Sequence, residues 1–186
     1  MNGNVGVWDS LAAIEWTKKY IHKFGGDPDR ITAIGQSAGA AILTWLLLSD
    51  EGNLSLPFDQ AMISSPALAP RRTLERSRPV FNQILNATGC ETVECIRHIP
   101  ESQLRDANEY IFSLFPNGGG GALGPGDGLT PLVDGELVSH LPATAFAEGK
   151  FNKRVKHLIV GNTADEVRSL PSCLLELSAV LTFNRA

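Results

Sequence analysis

The chain has 186 residues and a net charge of −4, from 16 basic and 20 acidic side chains. With 43% hydrophobic and 19% charged residues it has the composition of a globular protein, not a disordered one. A pI near 5.5 without a long basic run argues against nucleic acid as a partner, and no apolar run reaches the roughly 20 residues that span a bilayer.

The opening residues, MNGNVGVWDS, lack the charged segment and apolar stretch of a signal peptide. Asp9 is placed to cap a helix running to about residue 24. At about 100° per residue, Ala13, Ile14, Trp16, Tyr20, Ile21 and Phe24 form one arc of that helix. Glu15, Lys18, Lys19, His22 and Lys23 form the other, which predicts one buried face. Gly25-Gly26-Asp27-Pro28 ends the helix. Residues 30–35 read as a short strand, and Gly35-Gln36-Ser37-Ala38-Gly39 as a sharp turn. Residues 38–48 are apolar on nearly every side, which predicts a buried helix. Residues 58–65 read as a second strand ended by Pro66.

Helices are expected over residues 71–88 and 101–115. Arg71, Arg72, Arg76 and Arg78 near the start of the first read as a solvated face. Residues 117–128 hold seven glycines without a following Lys-Ser/Thr, so they read as a flexible surface loop and not a phosphate cradle. Residues 157–161 are a short strand, and no internal repeat or linker divides the chain.

Three cysteines leave at least one unpaired; Cys90 and Cys95 share a polar stretch, and Cys173 lies in an apolar one. No Cys/His pair has metal-ligand spacing, so no metal site is expected. Asn53 (Asn-Leu-Ser) and Asn86 (Asn-Ala-Thr) occupy N-x-S/T tripeptides, a weak hint of secretion.

Gly35-Gln36-Ser37-Ala38-Gly39 fits G-x-S-x-G, the pattern of a nucleophile elbow. Chance supplies about 0.1 such matches in a chain of this composition, but the strand before and the helix after it are the context the elbow needs. Glycines at 35 and 39 remove Cβ atoms where strand and helix approach. The helix start aims its partly positive end at Ser37, and the Ala38 N–H is placed to bind an oxyanion. The competing reading is a serine that merely caps a buried helix.

The run Gly3-Asn4-Val5-Gly6-Val7-Trp8-Asp9, Ala12-Ala13-Ile14-Glu15-Trp16, Phe24-Gly25-Gly26-Asp27-Pro28 and Gly35-Gln36-Ser37-Ala38-Gly39-Ala40 resembles the central block of the type-B carboxylesterases. That group includes cholinesterases and fungal lipases. Phe58 to Ser65, Pro131-Leu132-Val133-Asp134-Gly135 and Gly161-Asn162-Thr163-Ala164-Asp165-Glu166 extend the likeness, which covers residues 2 to about 168. Gln36 and Ala40 depart mildly from the family pattern, and Pro66 stands where the family commonly has glycine, a change that bears on the turn after that strand. The resemblance implies an α/β-hydrolase fold, with a partial domain over residues 1–168 and a divergent tail over 169–186. It implies hydrolysis of a small-molecule carboxylic ester through an acyl-enzyme, with neither cofactor nor metal. The family's order Ser…acid…His puts Ser37 at the nucleophile and Glu166 at the acid, with Asp165 as runner-up. It also implies a Cys90–Cys95 disulfide, which together with the Asn86 tripeptide fits a secreted parent protein.

Two parts of the family machinery are not found in the sequence. The histidines are His22, His98, His140 and His157, and none follows Glu166. The family's glycine-rich oxyanion segment lies upstream of the elbow and has no counterpart here. The chain therefore reads as the middle of a larger hydrolase, with little activity by itself. Two alternatives stand beside this reading: a non-catalytic binding protein on the same fold, and a non-functional truncated product.

Overall fold

The computed structural model describes residues 3–68, 74–113 and 131–164, apart from the side chains of residues 74–77 and 112. They fall into two compact units. The first comprises Met1–Val5 and Ala69–Leu137, the second Gly6–Leu68 and Val138–Ala186.

The second unit is a parallel α/β layer. Helix α1 (Val5–Tyr20) continues into a 3-10 turn over Ile21–Phe24 and is stopped by Gly25 at φ 82°. Strand β1 (Thr32–Gln36) leads through Ser37 into helix α2 (Ala38–Leu48), and β2 (Gln60–Ser64) and β3 (His157–Gly161) complete the sheet. The strand order is β1-β2-β3, all parallel, with Thr32 opposite Gln60 and Gln60 opposite His157. All three carboxyl ends therefore lie along one edge.

Strand alternation divides this sheet into two faces. Ala33 and Gly35 of β1 and Ala61 and Ile63 of β2 are buried on the face that receives α2. The small side chains let the helix axis come close. Leu43, Trp45, Leu46, Leu47 and Leu48 of α2 are all buried, as its apolar sequence predicts. Its carbonyls satisfy two buried hydroxyls: Thr44 donates to the Ala40 carbonyl at 2.9 Å, and Ser49, just after the helix, to that of Trp45 at 2.8 Å. The opposite face carries Ile34, Met62 and Ile159 in register, with Ile34 72% and Ile159 62% exposed.

The C-terminal end of α2 is fastened by Asn152. Its N–H donates to the Leu47 carbonyl and its Nδ2 to that of Leu54, both at 2.7 Å. Gly52 has φ 85°, and a Cβ there would run into the Phe151 backbone. The short helix α6 (Pro142–Ala147) has proline in its first turn, where the missing N–H costs nothing.

The first unit holds α3 (Leu74–Thr88), α4 (Val93–His98) and α5 (Glu101–Ser113). Thr92 caps α4 by accepting from the Cys95 N–H at 3.1 Å. The Cys90–Cys95 disulfide is formed. Gln103 Nε2 donates to the Thr88 carbonyl at 2.8 Å, joining α5 to the end of α3.

Two expectations are corrected. Helix α1 begins at Val5, so Asp9 lies inside it. Asn4 (φ 56°) precedes the helix and is held by long-range bonds: its Nδ2 donates to the Leu132 carbonyl at 2.9 Å and to Asp134 Oδ2 at 2.8 Å. The Leu132 N–H donates back to Asn4 Oδ1 at 2.8 Å. The predicted buried arc of α1 is also largely open: Trp16 is 56% and Phe24 73% exposed, while Val7 and Leu11 are the buried residues. Instead the Trp16 and Tyr20 rings meet at a tilt of 50° with centroids 5.1 Å apart, and Lys19 and Lys23 lie over the Tyr20 ring.

Candidate active site

Ser37 stands at the carboxyl end of β1, on the turn into α2. Its backbone is at φ 54°, ψ −117°, outside the regions that a side-chain-bearing residue ordinarily takes. Three hydrogen bonds hold it there. Its N–H donates to the Ser64 carbonyl at 3.1 Å, extending the β1–β2 ladder by one residue. Its carbonyl accepts from Ala41 N–H at 3.0 Å, the first turn of α2, and from Ala67 N–H at 3.1 Å. The neighbouring strand turns in the same way: Ser65 has φ 50° and its N–H donates to the Gly161 carbonyl at 2.7 Å.

Gly35 is required by this turn. A Cβ at Gly35 would lie 2.5 Å from the carbonyl carbon and oxygen of Gly39 and 2.7 Å from Ala40 N. Gly39 plays a different part than expected. Its own Cβ position meets no described atom within 4 Å, so it is its backbone that crowds Gly35. Gln36, Ser37 and Ala38 are exposed. The Ser37 side chain makes no capping bond, and its backbone is not the extended one of a cap residue, which overturns the capping alternative. Ala38 N–H belongs to the first turn of α2, whose N–H groups have no intrahelical partner and sit at the positive end of the helix dipole.

The other expected site residues are less fully placed. Glu166 and Asp165 lie outside the described residues, as do Arg71, Arg72, residues 117–128, Cys173 and the tail 169–186. The chain leaves β3 at Gly161, on the same carboxyl edge as Ser37 and two strands away, about 10 Å at ordinary strand spacing. His157 and His140 of this unit lie away from that edge. His157 opens β3 opposite Gln60 and Thr32, at the amino end of the sheet and about 13–16 Å along the strands from Ser37. His140 is half-buried: Lys150 Nζ is 3.0 Å from its Nε2 and pairs with Glu51 at 3.2 Å and Glu148 at 3.0 Å. Hydrogen bonding to Lys150 holds the Glu148 carboxyl below its ordinary range. Glu51 follows the C-terminal end of α2, which is about 16 Å long, so this cluster sits at the far end of the helix from Ser37. His98 pairs with Glu94 at 2.8 Å within α4.

Comparisons with known proteins bear on the whole chain. The model of the carboxylesterase family matches residues 1–181. The chain belongs to the carboxylesterase family. It is 32% identical over 183 residues to carboxylesterase patB of Penicillium expansum, covering 98% of this chain and 31% of that one. It is 35% identical over 188 residues to the fumonisin B1 esterase of Sphingopyxis macrogoltabida, covering 98% of this chain and 32% of the other. The crystal structure of EstA from Aspergillus niger superposes with a TM-score of 0.66 at 31% identity, over 81% of this chain and 29% of that one. This chain thus spans under a third of the length of these relatives. Fungal carboxylesterases are among them, and the three-stranded parallel layer is part of the α/β-hydrolase fold, as the sequence resemblance implies. Among the described residues no helix is long and apolar enough to cross a membrane.

Proposed function

We propose that Ser37 is the nucleophile of a carboxylic ester hydrolase and Glu166 the acid of its triad. One observation carries the reading: Ser37 is held at φ 54°, ψ −117° on an exposed strand-to-helix turn. A nucleophile gains an unobstructed approach from such a strained turn. In this reading Ser37 Oγ attacks the ester carbonyl, the alcohol departs, and water hydrolyses the acyl-enzyme. The Ala38 N–H holds the oxyanion as it forms, and Gly35, Gln36 and Gly39 complete the elbow. The family's order puts Glu166 five residues after β3, and the chain leaves β3 at the edge where Ser37 stands. Its carboxylate would hold the tautomer of a histidine and stabilise the cation.

The proton of Ser37 needs a base. No histidine follows Glu166; His157 opens β3 at the amino end of the sheet, and His140 sits in the Lys150 cluster at the far end of α2 from Ser37. The 186 residues by themselves are therefore a poor catalyst. Loss of a single oxyanion donor lowers rate by about 10²–10³, and loss of the base adds to it. The Cys90–Cys95 disulfide supports an extracellular location for the parent protein.

The test is hydrolysis of a short-chain nitrophenyl ester. The 186-residue chain is compared with the chain joined to the reading frame that flanks it in the gene, each beside Ser37→Ala. Near-background turnover is expected from the 186 residues. Ser37-dependent turnover is expected from an extended protein that supplies a glycine-rich segment upstream and a histidine downstream. Turnover by such a protein that survives Ser37→Ala would sink the assignment.

A further inference from the structure

We propose that Asn53 is an N-glycan acceptor and that Asn86, the other Asn-x-Ser/Thr asparagine, is a poor one. The proposal shares with the functional reading only the passage of the chain through the secretory lumen. In the transfer, the Asn amide nitrogen forms a bond to the first sugar carbon of a lipid-pyrophosphate-linked oligosaccharide. The carbon–oxygen bond to the lipid pyrophosphate breaks, the lipid pyrophosphate leaves, and the amide gives up one proton. The enzyme must reach the Asn amide and, two residues on, engage a Ser or Thr hydroxyl, so the tripeptide has to be accessible and outside a helix.

The two tripeptides differ in both respects. Asn53-Leu54-Ser55 lies beyond the 3-10 turn Ser49–Gly52 and belongs to no helix or strand. Asn53 and Ser55 are exposed, and among the described residues neither side chain makes a hydrogen bond. The middle residue is pinned instead: Leu54 N–H donates to the Ser49 carbonyl at 3.4 Å, and its carbonyl accepts from Asn152 Nδ2 at 2.7 Å. The turn is thus anchored through Leu54 while both reacting side chains face water. Asn86-Ala87-Thr88 is instead the last turn of α3. Asn86 is exposed, but Thr88 is only 3% exposed, and its hydroxyl donates to the carbonyls of Ile84 at 2.7 Å and Leu85 at 3.1 Å. Gln103 closes the same corner by donating to the Thr88 carbonyl.

The test places the 186-residue chain behind a heterologous secretory signal peptide in a eukaryotic host, which separates acceptor quality from the location of the natural protein. Occupancy is read on the unsubstituted chain by enzymatic deglycosylation in heavy-oxygen water and peptide mass spectrometry, a readout independent of any variant's folding. The expected result is heavy-labelled Asp at position 53 in most molecules and at position 86 in few. Asn53→Gln and Ser55→Ala should each remove most of the endoglycosidase-sensitive mass, and Asn86→Gln should remove little. An unmodified Asn53 in chains that entered the lumen overturns the proposal, as does occupancy at Asn86 equal to or above that at Asn53. The functional reading is untouched by either result, since it rests on Ser37.

Discussion

Helices α1 and α2 lie in one unit, are both rich in apolar residues, and end very differently. In α2 the side chains of Leu43 and of residues 45–48 are buried, because β1 and β2 offer a smooth face of Ala33, Gly35, Ala61 and Ile63 for it to lie on. In α1 Trp16 stays open and Tyr20 is half-buried; their rings turn to one another, and Lys19 and Lys23 lie over Tyr20. An apolar stripe states what a helix would bury. Whether it is buried depends on a second surface of matching shape, which the stripe does not encode.

The contrast can be broken or sharpened by substitution. Leu46 is fully buried in α2, so Leu46→Ala should cost about 2–5 kcal/mol in a urea or thermal unfolding experiment. A loss under about 1 kcal/mol would show that α2 is not the packed element of this unit. Gly35→Ala should cost about 1–3 kcal/mol, because its methyl group strikes the Gly39 backbone. Gly39→Ala, with no such neighbour and in a helix, should be neutral or stabilising by up to about 1 kcal/mol. Equal losses at both glycines would contradict the one-sided crowding seen here. Trp16→Ser on α1 should change stability by no more than about 0.5 kcal/mol; a loss of several would mean that the arc is covered in solution and the contrast with α2 is false.

The smallest effect is expected at the rim of the sheet. A hydrogen bond from Lys156 Nζ at 2.8 Å holds the Asp59 carboxyl below its ordinary value of 3.8, with Lys156 held above its own by the same bond. Because the folded-state value of Asp59 is the lower one, its contribution is complete above pH 3.8 and fades as the pH falls through the folded value. Lys156→Met should therefore flatten the acid limb of a stability–pH curve slightly, and salt should weaken the pair in the unsubstituted protein. An unchanged acid limb would show the pair to be inert.

These contrasts also explain what the sequence disclosed. The segment from β1 through Ser37 to α2 was legible because every part of it is local: a short strand, two glycines at fixed spacing, and an apolar helix. The start of α1 was not, because it is set by Asn4 bonding to Leu132 and Asp134, more than a hundred residues away in the chain. The helices α4 and α6 are six residues each, too short to show a period. The different roles of Gly35 and Gly39 arise from the folded backbone, since the same residue type stands at both ends of the motif. Of the proposed triad, Ser37 is seen in its strained turn, while Glu166 rests on chain order and the family resemblance.

The most direct test of the central claim is covalent labelling with a fluorophosphonate, followed by peptide mapping of the adduct. The account predicts an adduct on Ser37 and on no other serine: weak or absent for the 186 residues alone, and strong when the upstream glycines and a downstream histidine are supplied. Strong labelling of the 186 residues at Ser37 would contradict the need for those parts. Labelling of the completed protein at another serine, or its persistence in Ser37→Ala, would contradict the assignment of the nucleophile itself.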